Sequence, residues 1–288
     1  MNAAAPAGDP PRVVCDAPRL ARIATRSLYR ELALHPKPGL VSLRDSGAHS
    51  DMDATTFMRS LFALRGYFRD VAAAGARNAE FAELRVLAIA AESAMLKATG
   101  GVNTHRGAIF SMGLLLASAA CLATPGRPID AASWRAAIVA QFGTGLAYLR
   151  HERRRSHGAD VERITGAQGA LGEAIAGFPH VFDVALPALR NARQHGLDER
   201  LAQLGAFFEL LACIEDTNVL FRGGFAALAL VRQRARSFLR NGGAFARDAL
   251  ERASELHSEM STRGLSPGGC ADLFACTLLV DALVPSPR

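Results

Sequence analysis

The chain is dominated by segments of helix length in which alanine and leucine recur at helical spacing, separated by glycine and proline. Half of the residues are hydrophobic but only 7% are aromatic. This balance favours helices, because strands prefer β-branched and aromatic residues. No strand pattern stands out, so we expect an all-α, single-domain multi-helix bundle. The predicted helices are 19–34, 53–74, 80–98, 104–122, 131–150, 180–195, 197–213, 219–241, 243–261 and 268–284.

Three segments fall outside this helical pattern. Residues 1–17 are rich in alanine and proline and are predicted to be disordered, which leaves 18–288 as the helical domain. Residues 35–52 are predicted to form a long functional loop, since Pro36 and Pro38 end the first helix and loops of this length are usually functional. The glycine-rich stretch 151–179 is the least regular and is interpreted as a candidate flexible lid.

The formal net charge of +6 can attract nucleic acid, a membrane surface or a polyphosphate. No nucleic-acid partner is expected, because the basic run 150–155 has no aromatic residues beside it for stacking. The uncharged stretch 107–126 contains glycines, serines and Pro125 and fits a buried core helix, so no membrane partner is expected. Five cysteines without a CxxC pair, and the lack of a signal-peptide pattern, favour a reduced, cytoplasmic protein.

Four carboxylates stand alone inside otherwise apolar runs. They are Glu92, Glu173, Asp216 and Asp272. A buried ionised carboxylate needs a cation, a metal or several hydrogen-bond donors. Purely structural roles stay open, because Asp216 could be a helix N-cap and Asp272 could lie in a first turn. Together, the four indicate a convergent acidic site that holds magnesium and phosphates.

Three loops add groups that suit an anion. Lys37 lies on a turn stiffened by prolines, and residues 100–107 and 263–269 each lead into a helix N-terminus with free N–H groups. Neither glycine-rich loop matches a P-loop or dinucleotide fingerprint. Thr104 and Ser266 also have a purely structural interpretation, as helix N-caps.

The histidines differ in their surroundings. His105 could act as a general acid or base, donate to a phosphate, or simply start a helix. The run 49–53 resembles metal-ligand spacing, although its aspartates, Asp51 and Asp53, could equally cap the next helix. The histidines with charged, surface-like neighbours are given no role: His151, His157, His195 and His257.

Six blocks in this order resemble the signature blocks of the triphosphoribosyl-dephospho-CoA synthase family, from about residue 20 onward. They are Pro36–Val41, Gly47–Met52, Gly101–Phe110, Gly177–Pro179, Asp216–Asn218 with Arg222, and Arg263–Gly269 with Asp272. The Gly-Val-Asn-Thr-His block is the most specific. Arg106 stands where lysine is common, and residues 170–173 match a family block only loosely. Ser42 resembles the malonate decarboxylase branch more than the citrate lyase branch.

The resemblance implies an enzyme, a pentosyl (glycosyl) transferase that joins ATP to 3′-dephospho-CoA and releases adenine. Its product, 2′-(5″-triphosphoribosyl)-3′-dephospho-CoA, is the precursor of a prosthetic group on an acyl carrier protein of malonate decarboxylase or citrate lyase. Inversion at the ribose implies that no covalent enzyme intermediate is needed. The alternatives are a magnesium-dependent nucleotide or phosphoester hydrolase and a non-catalytic helical protein that binds CoA or a nucleotide. A homodimer is one option for the assembly.

This chemistry gives each candidate residue a predicted role. The catalytic residues are Glu92, His105 and Asp216. The ligands of magnesium, which arrives as the ATP–Mg²⁺ complex, are Asp51, Asp216 and Asp272. The cations on the phosphates are Lys37, Arg106 and Arg222. The other substrate-binding residues are His49, Asn103, Thr104, Gly107, Glu173, Asn218, Ser266, Gly268 and Gly269.

Overall fold

A computed structural model describes residues 16–123, 129–153, 167 and 169–285. Every regular element in these ranges is a helix, which confirms the prediction of an all-α fold. A π-helical turn spans His180–Ala185, and a 3₁₀ turn spans Gly243–Phe245. The helices are α1 Ala17–Ala33, α2 Ala54–Ala63, α3 Arg65–Ala76, α4 Phe81–Thr99, α5 Arg106–Leu122, α6 Ala131–Arg153, α7 Gly169–Ile175, α8 Leu186–Gln194, α9 Glu199–Cys213, α10 Thr217–Arg240, α11 Ala249–Thr262 and α12 Gly268–Leu283.

Helix α5 forms the centre of the core. It packs against α1, α3, α4, α6 and α12, and it is buried almost without interruption after its first turn. Gly75 brings α3 close, since a Cβ there would overlap the carbonyl oxygen of Ala117. Trp134 of α6 donates its Nε1–H to the Leu115 carbonyl at 3.2 Å. The prediction that this uncharged stretch is a core helix is therefore confirmed, and none of the described helices could span a membrane.

Several helices begin, or are interrupted, at residues that differ from the predicted bounds. The predicted helix 53–74 divides at Leu64 into α2 and α3. Helix α10 is interrupted at Gly224, which has φ 69° and ψ −167°. The predicted start at residue 243 is wrong, because α11 begins at Ala249 after Gly242 and Gly243 adopt positive φ. Only glycine adopts such angles without strain.

The predicted loop is present and is tied down by named contacts. Asp53 caps α2 by accepting the Thr56 backbone N–H at 2.8 Å. His257 of α11 donates Nδ1–H to the Lys37 carbonyl at 2.8 Å, and its Nε2 lies 3.1 Å from Asp45 Oδ1. The surface assignment of His257 is therefore wrong, since its ring is buried beneath the loop. Residues 154–166 and 168 of the candidate lid at 151–179 lie outside the described residues.

Candidate active site

One cavity of about 1260 Å³ opens between the loop 35–52 and the ends of α4, α5, α7, α10 and α12. All six sequence blocks contribute residues to its lining. Lys37 and Asp51 do not line it. The predicted site residues that do are His49, Glu92, Asn103, Thr104, His105, Arg106, Gly107, Glu173, Asp216, Asn218, Arg222, Ser266, Gly268, Gly269 and Asp272.

Asp216 joins the starts of α10 and α12. Its Oδ1 accepts the backbone N–H groups of Asn218 at 2.9 Å and Val219 at 3.2 Å, so it is the N-cap of α10. Its Oδ2 accepts the Cys270 N–H at 2.8 Å. Burial raises the pKa of Asp216, and these three bonds oppose that effect. Gly269 leaves the space, because a Cβ there would lie 3.0 Å from Oδ2.

Asp272 reaches the cavity through a gap that Gly107 leaves in α5. A Cβ at residue 107 would overlap the Oδ2 of Asp272. The nearby backbone N–H of Ala108 acts to lower the pKa of this carboxyl. Burial raises the pKa of Asp272 well above its usual value, and the neighbouring charges of Glu31 and Asp216 raise it further. Glu31, Asp216 and Asp272 therefore form the acidic wall of the cavity.

Lys37 lies behind this wall. Its ammonium donates to the Glu31 carbonyl at 2.7 Å and to the Glu31 carboxylate, and the side chain is only 1% exposed. Burial lowers the pKa of Lys37 and raises that of Glu31. Sequence analysis missed Glu31, although its position on the apolar face of α1 was the available signal. Its spacing with Leu20, Ala24 and Leu28 placed it toward the core.

His49, Arg222 and Ser266 form a second group on the lining. Arg222 Nη2 lies 3.2 Å from His49 Nδ1, and Nη1 donates to the Gly264 carbonyl at 3.0 Å. A guanidinium only donates, so Nδ1 accepts and the His49 Nε2–H donates to Ser266 Oγ at 2.8 Å. Burial and then Arg222 lower the pKa of His49, which keeps the ring neutral. Asp51 is largely exposed, with Oδ1 3.4 Å from Nδ1.

The start of α5 presents both satisfied and unsatisfied polar groups. Asn103 Oδ1 accepts the Arg106 N–H at 3.1 Å, so Asn103 rather than Thr104 caps this turn. Arg106 pairs with Glu92, and both side chains remain partly exposed. Thr104 Oγ1 and Ser111 Oγ are buried without a hydrogen-bond partner among the described residues. Both residues line the cavity, so these hydroxyls are placed to meet a ligand.

His105 is a buried, neutral ring. Its Nδ1 lies 2.6 Å from Ser60 Oγ, and its backbone N–H points at the Met95 sulfur at 3.2 Å. Burial, and then the charge of Lys37, lower the pKa of His105 to about 3. An imidazole with this pKa carries no spare proton at neutral pH. Its predicted role as an acid therefore has little chemical support.

His180 and Glu173 form a pair that the sequence analysis did not assign. Glu173 Oε1 accepts the His180 backbone N–H at 2.8 Å, and Oε2 lies 2.7 Å from His180 Nδ1. The Cys213 sulfur and then Glu173 raise the pKa of His180 to about 10, so the ring is an imidazolium at neutral pH. Its position directly after the Gly177–Pro179 block was the signal that could have found it.

The predicted three-carboxylate metal site is not assembled. Among the described residues, no group of three or more His, Cys, Asp or Glu side chains could hold a metal ion. Asp216 and Asp272 share the acidic wall, whereas Asp51 lies outside the cavity. Magnesium can nevertheless bind through one or two carboxylates together with substrate phosphates and water.

A helical domain whose cavity carries buried carboxylates, rim cations and unpartnered hydroxyls has the character of an enzyme for phosphorylated substrates. The CitG family model, described as ATP:dephospho-CoA triphosphoribosyl transferase, matches residues 17–287. The chain therefore belongs to this family and is a transferase, which confirms the predicted family and enzyme class.

Known relatives agree over nearly the whole chain. A 2-(5″-triphosphoribosyl)-3′-dephosphocoenzyme-A synthase of Klebsiella pneumoniae is 39% identical over 267 residues, or 89% of this chain and 88% of that protein. Probable synthases of the same name share 38% identity in Pseudomonas fluorescens Pf0-1 (95% of this chain, 94% of the relative) and 34% in Acinetobacter calcoaceticus (91% and 90%). No solved structure matches the chain.

Proposed function

We propose that this protein joins ATP to 3′-dephospho-CoA, releases adenine and forms 2′-(5″-triphosphoribosyl)-3′-dephospho-CoA. The observation that carries the proposal is the convergence of six separated sequence blocks on one cavity. The cavity volume of about 1260 Å³ exceeds that of most single-ligand pockets, as a site for two nucleotides requires. The names of the relatives and of the family support the same reaction.

In this reaction the 2′-hydroxyl of dephospho-CoA attacks C1 of the ATP ribose while the bond to adenine breaks. Positive charge develops at C1, and carboxylates of the acidic wall are suited to stabilise it. Asp272 is the best candidate for the base that takes the hydroxyl proton. Its pKa is raised well above the usual value, so its carboxylate accepts a proton more readily than an ordinary aspartate does. Glu92 is paired with Arg106, so we assign it to positioning that arginine.

Arg106 and Arg222 are the cations that we assign to the triphosphate, assisted by the positive end of the α5 helix dipole. Asn218, Gly268 and the unpartnered Thr104 would orient the substrates around them. Lys37 has no direct part in this proposal, because Glu31 already holds its ammonium.

Magnesium fits the same arrangement. Asp272 feels the like charges of Glu31 and Asp216, and a divalent cation would relieve that repulsion. We propose that Asp216 holds the ion carried by ATP, which would neutralise phosphate charge and leave Asp272 free to act as the base. Asp51, which is exposed outside the cavity, is left without a metal-binding role in this proposal.

We further propose that the product serves the acyl carrier protein of malonate decarboxylase rather than that of citrate lyase. The support is Ser42, since serine at this position resembles the malonate decarboxylase branch. Its buried hydroxyl accepts the Arg44 N–H at 3.1 Å inside the loop. Deleting the gene in its host and weighing both carrier proteins by mass spectrometry tests this. Loss of the prosthetic group from the citrate lyase carrier alone would contradict it.

The reaction itself is tested with purified protein, ATP, magnesium and dephospho-CoA. Mass spectrometry should find adenine and the triphosphoribosyl adduct in equal amounts. CoA should react far more weakly, because its 3′-phosphate crowds the attacking 2′-hydroxyl. Phosphate release from ATP alone would identify a hydrolase, and dephospho-CoA binding without adenine release would identify a non-catalytic binding protein.

A further inference from the structure

The turn between α7 and α8 holds one imidazole in a fixed orientation on the cavity lining. Glu173 is 8% exposed, and both of its carboxylate oxygens bond to His180. One oxygen accepts the backbone N–H, and the other lies on the ring nitrogen Nδ1. The bond to the backbone N–H fixes the position of the carboxylate, and the bond to Nδ1 then restrains rotation of the ring. Such double anchoring is typical of a positioned acid or base rather than of a surface histidine.

The backbone of this turn is strained. Phe178 has φ 56° although it is not glycine, and its ring is fully buried. Its N–H donates to the Glu173 carbonyl at 2.8 Å, which folds the chain back so that His180 meets the Glu173 side chain. Positive φ at a bulky residue costs free energy, and it is maintained mainly where function depends on the geometry.

The second ring nitrogen has only a weak partner. Glu173 occupies Nδ1, which leaves Nε2 as the ring nitrogen that can interact with the nearby Cys213 sulfur. Sulfur is a poor hydrogen-bond acceptor, and this thiol already donates to the Glu209 carbonyl at 3.1 Å. His180, Glu173 and Cys213 all line the cavity. A purine nitrogen entering the cavity is a better acceptor and can replace the sulfur.

We infer that His180 is the catalytic acid that protonates the departing adenine, with Glu173 as its positioning residue. This rests on the proposed function. As the bond between C1 and N9 breaks, its electron pair moves into the purine and the Nε2 proton passes to N7. The acceptor oxygen bonds to C1 and yields its proton to a carboxylate of the acidic wall. His180 then regains a proton from water.

The charge of His180 suits this step better than the charge of His105. Glu173 stays on Nδ1 and favours the protonated ring of His180 when the purine enters, so this ring can donate a proton, whereas His105 is neutral. A purine that leaves with its electron pair is strongly basic, so an acid of raised pKa can still protonate it.

The test compares His180→Gln with His195→Gln, since His195 is an exposed histidine outside the cavity. His180→Gln should lower kcat about 100-fold or more while changing the KM for ATP little, because general acids typically contribute at least that factor. The alkaline limb of the wild-type pH profile should disappear. His195→Gln should behave as wild type. A higher KM with unchanged kcat would overturn the inference and make His180 a phosphate contact.

A second substrate keeps the test independent of folding in the variant. In 7-deaza-ATP a carbon replaces N7, so no proton can be accepted there. The wild-type enzyme should prefer ATP about 100-fold, and His180→Gln should lose most of this preference. Equal use of both substrates by the wild type would refute the inference. Failure of the wild type to form any adduct from ATP and dephospho-CoA would instead refute the proposed function.

Discussion

Two of the glutamate–cation pairs at the cavity, Lys37–Glu31 and Arg106–Glu92, differ strongly in burial. In the inner pair, Lys37 and Glu31 have side chains only 1% and 5% exposed. In the outer pair, Arg106 and Glu92 are 55% and 33% exposed. Both cations belong to sequence blocks that suggested phosphate binding. Only Arg106 retains access to the cavity, so the position of a cation relative to the core decides whether it can bind substrate.

The two pairs should also differ in what each contributes to stability. Removing one partner of a buried pair leaves an uncompensated charge, which costs several kcal/mol. Exposed pairs are screened by water and typically contribute less than about 1 kcal/mol. We therefore expect the inner pair to maintain the fold behind the acidic wall and the outer pair to act on substrate.

The largest effect is expected from Lys37→Met. Glu31 would be left buried without its cation, so the free energy of unfolding should fall by about 3–5 kcal/mol. Urea denaturation measures this loss. Adding Glu31→Gln to Lys37→Met should restore most of the stability, since the stranded charge disappears. A Lys37→Met protein as stable as wild type would show that the inner pair is not structural.

Asp272→Asn should raise the free energy of unfolding, because the wild-type Asp272 places a further negative charge beside Glu31. Folding raises the pKa of the Asp272 carboxyl. The stabilising contribution of this group is therefore complete below its unfolded pKa and is lost as pH rises through its folded pKa. The variant should therefore be more stable by on the order of 1 kcal/mol at pH 7. Adenine release should be lost.

The pH dependence provides the check for Asp272→Asn. The gain corresponds to a rise in Tm of about 2–4 °C for a chain of this size, and it should vanish near pH 4. Scanning calorimetry from pH 4 to 8 measures it. Asp70→Asn, at an exposed acid on α3, should show no such trend. A Tm gain that is equal at every pH would contradict the assignment.

The smallest change in stability is expected from Arg106→Gln. The free energy of unfolding should change by less than about 1 kcal/mol, whereas the KM for ATP should rise about tenfold. Arg77 is the matched control, since it pairs with Glu83 at similar exposure but lies outside the cavity. Arg77→Gln should give the same small change in stability and no change in KM. Equal kinetics in both variants would remove Arg106 from the triphosphate site.

Much of the fold followed from local pattern. Helical spacing and the prolines at 36 and 38 located the long loop, and the uncharged run 107–126 indicated the central helix. The break at Leu64 had no comparable signal, because the apolar spacing continues on both sides of it. The Gly223–Gly224 pair was an available signal for the interruption of α10. Tertiary packing decides such breaks.

The site was predictable where a residue's role depends on its own sequence block. Asp216, Asp272 and Arg222 line the cavity as their blocks suggested. Lys37 could not be placed, because its distance from Glu31 depends on how α1 and the loop fold together. His180 was missed for a similar reason. Its role depends on the contact with Glu173, which lies seven residues earlier and is brought close by a strained turn.

The gap at Gly107 links two distant parts of the chain through a single missing carbon atom. The residue is helical, so its value lies in the room it leaves rather than in backbone freedom. Any side chain there would displace the Asp272 carboxylate from the acidic wall. Positions 107 and 272 are therefore expected to covary among homologous sequences. A relative that carries alanine at the first should have lost, shortened or relocated the acid at the second.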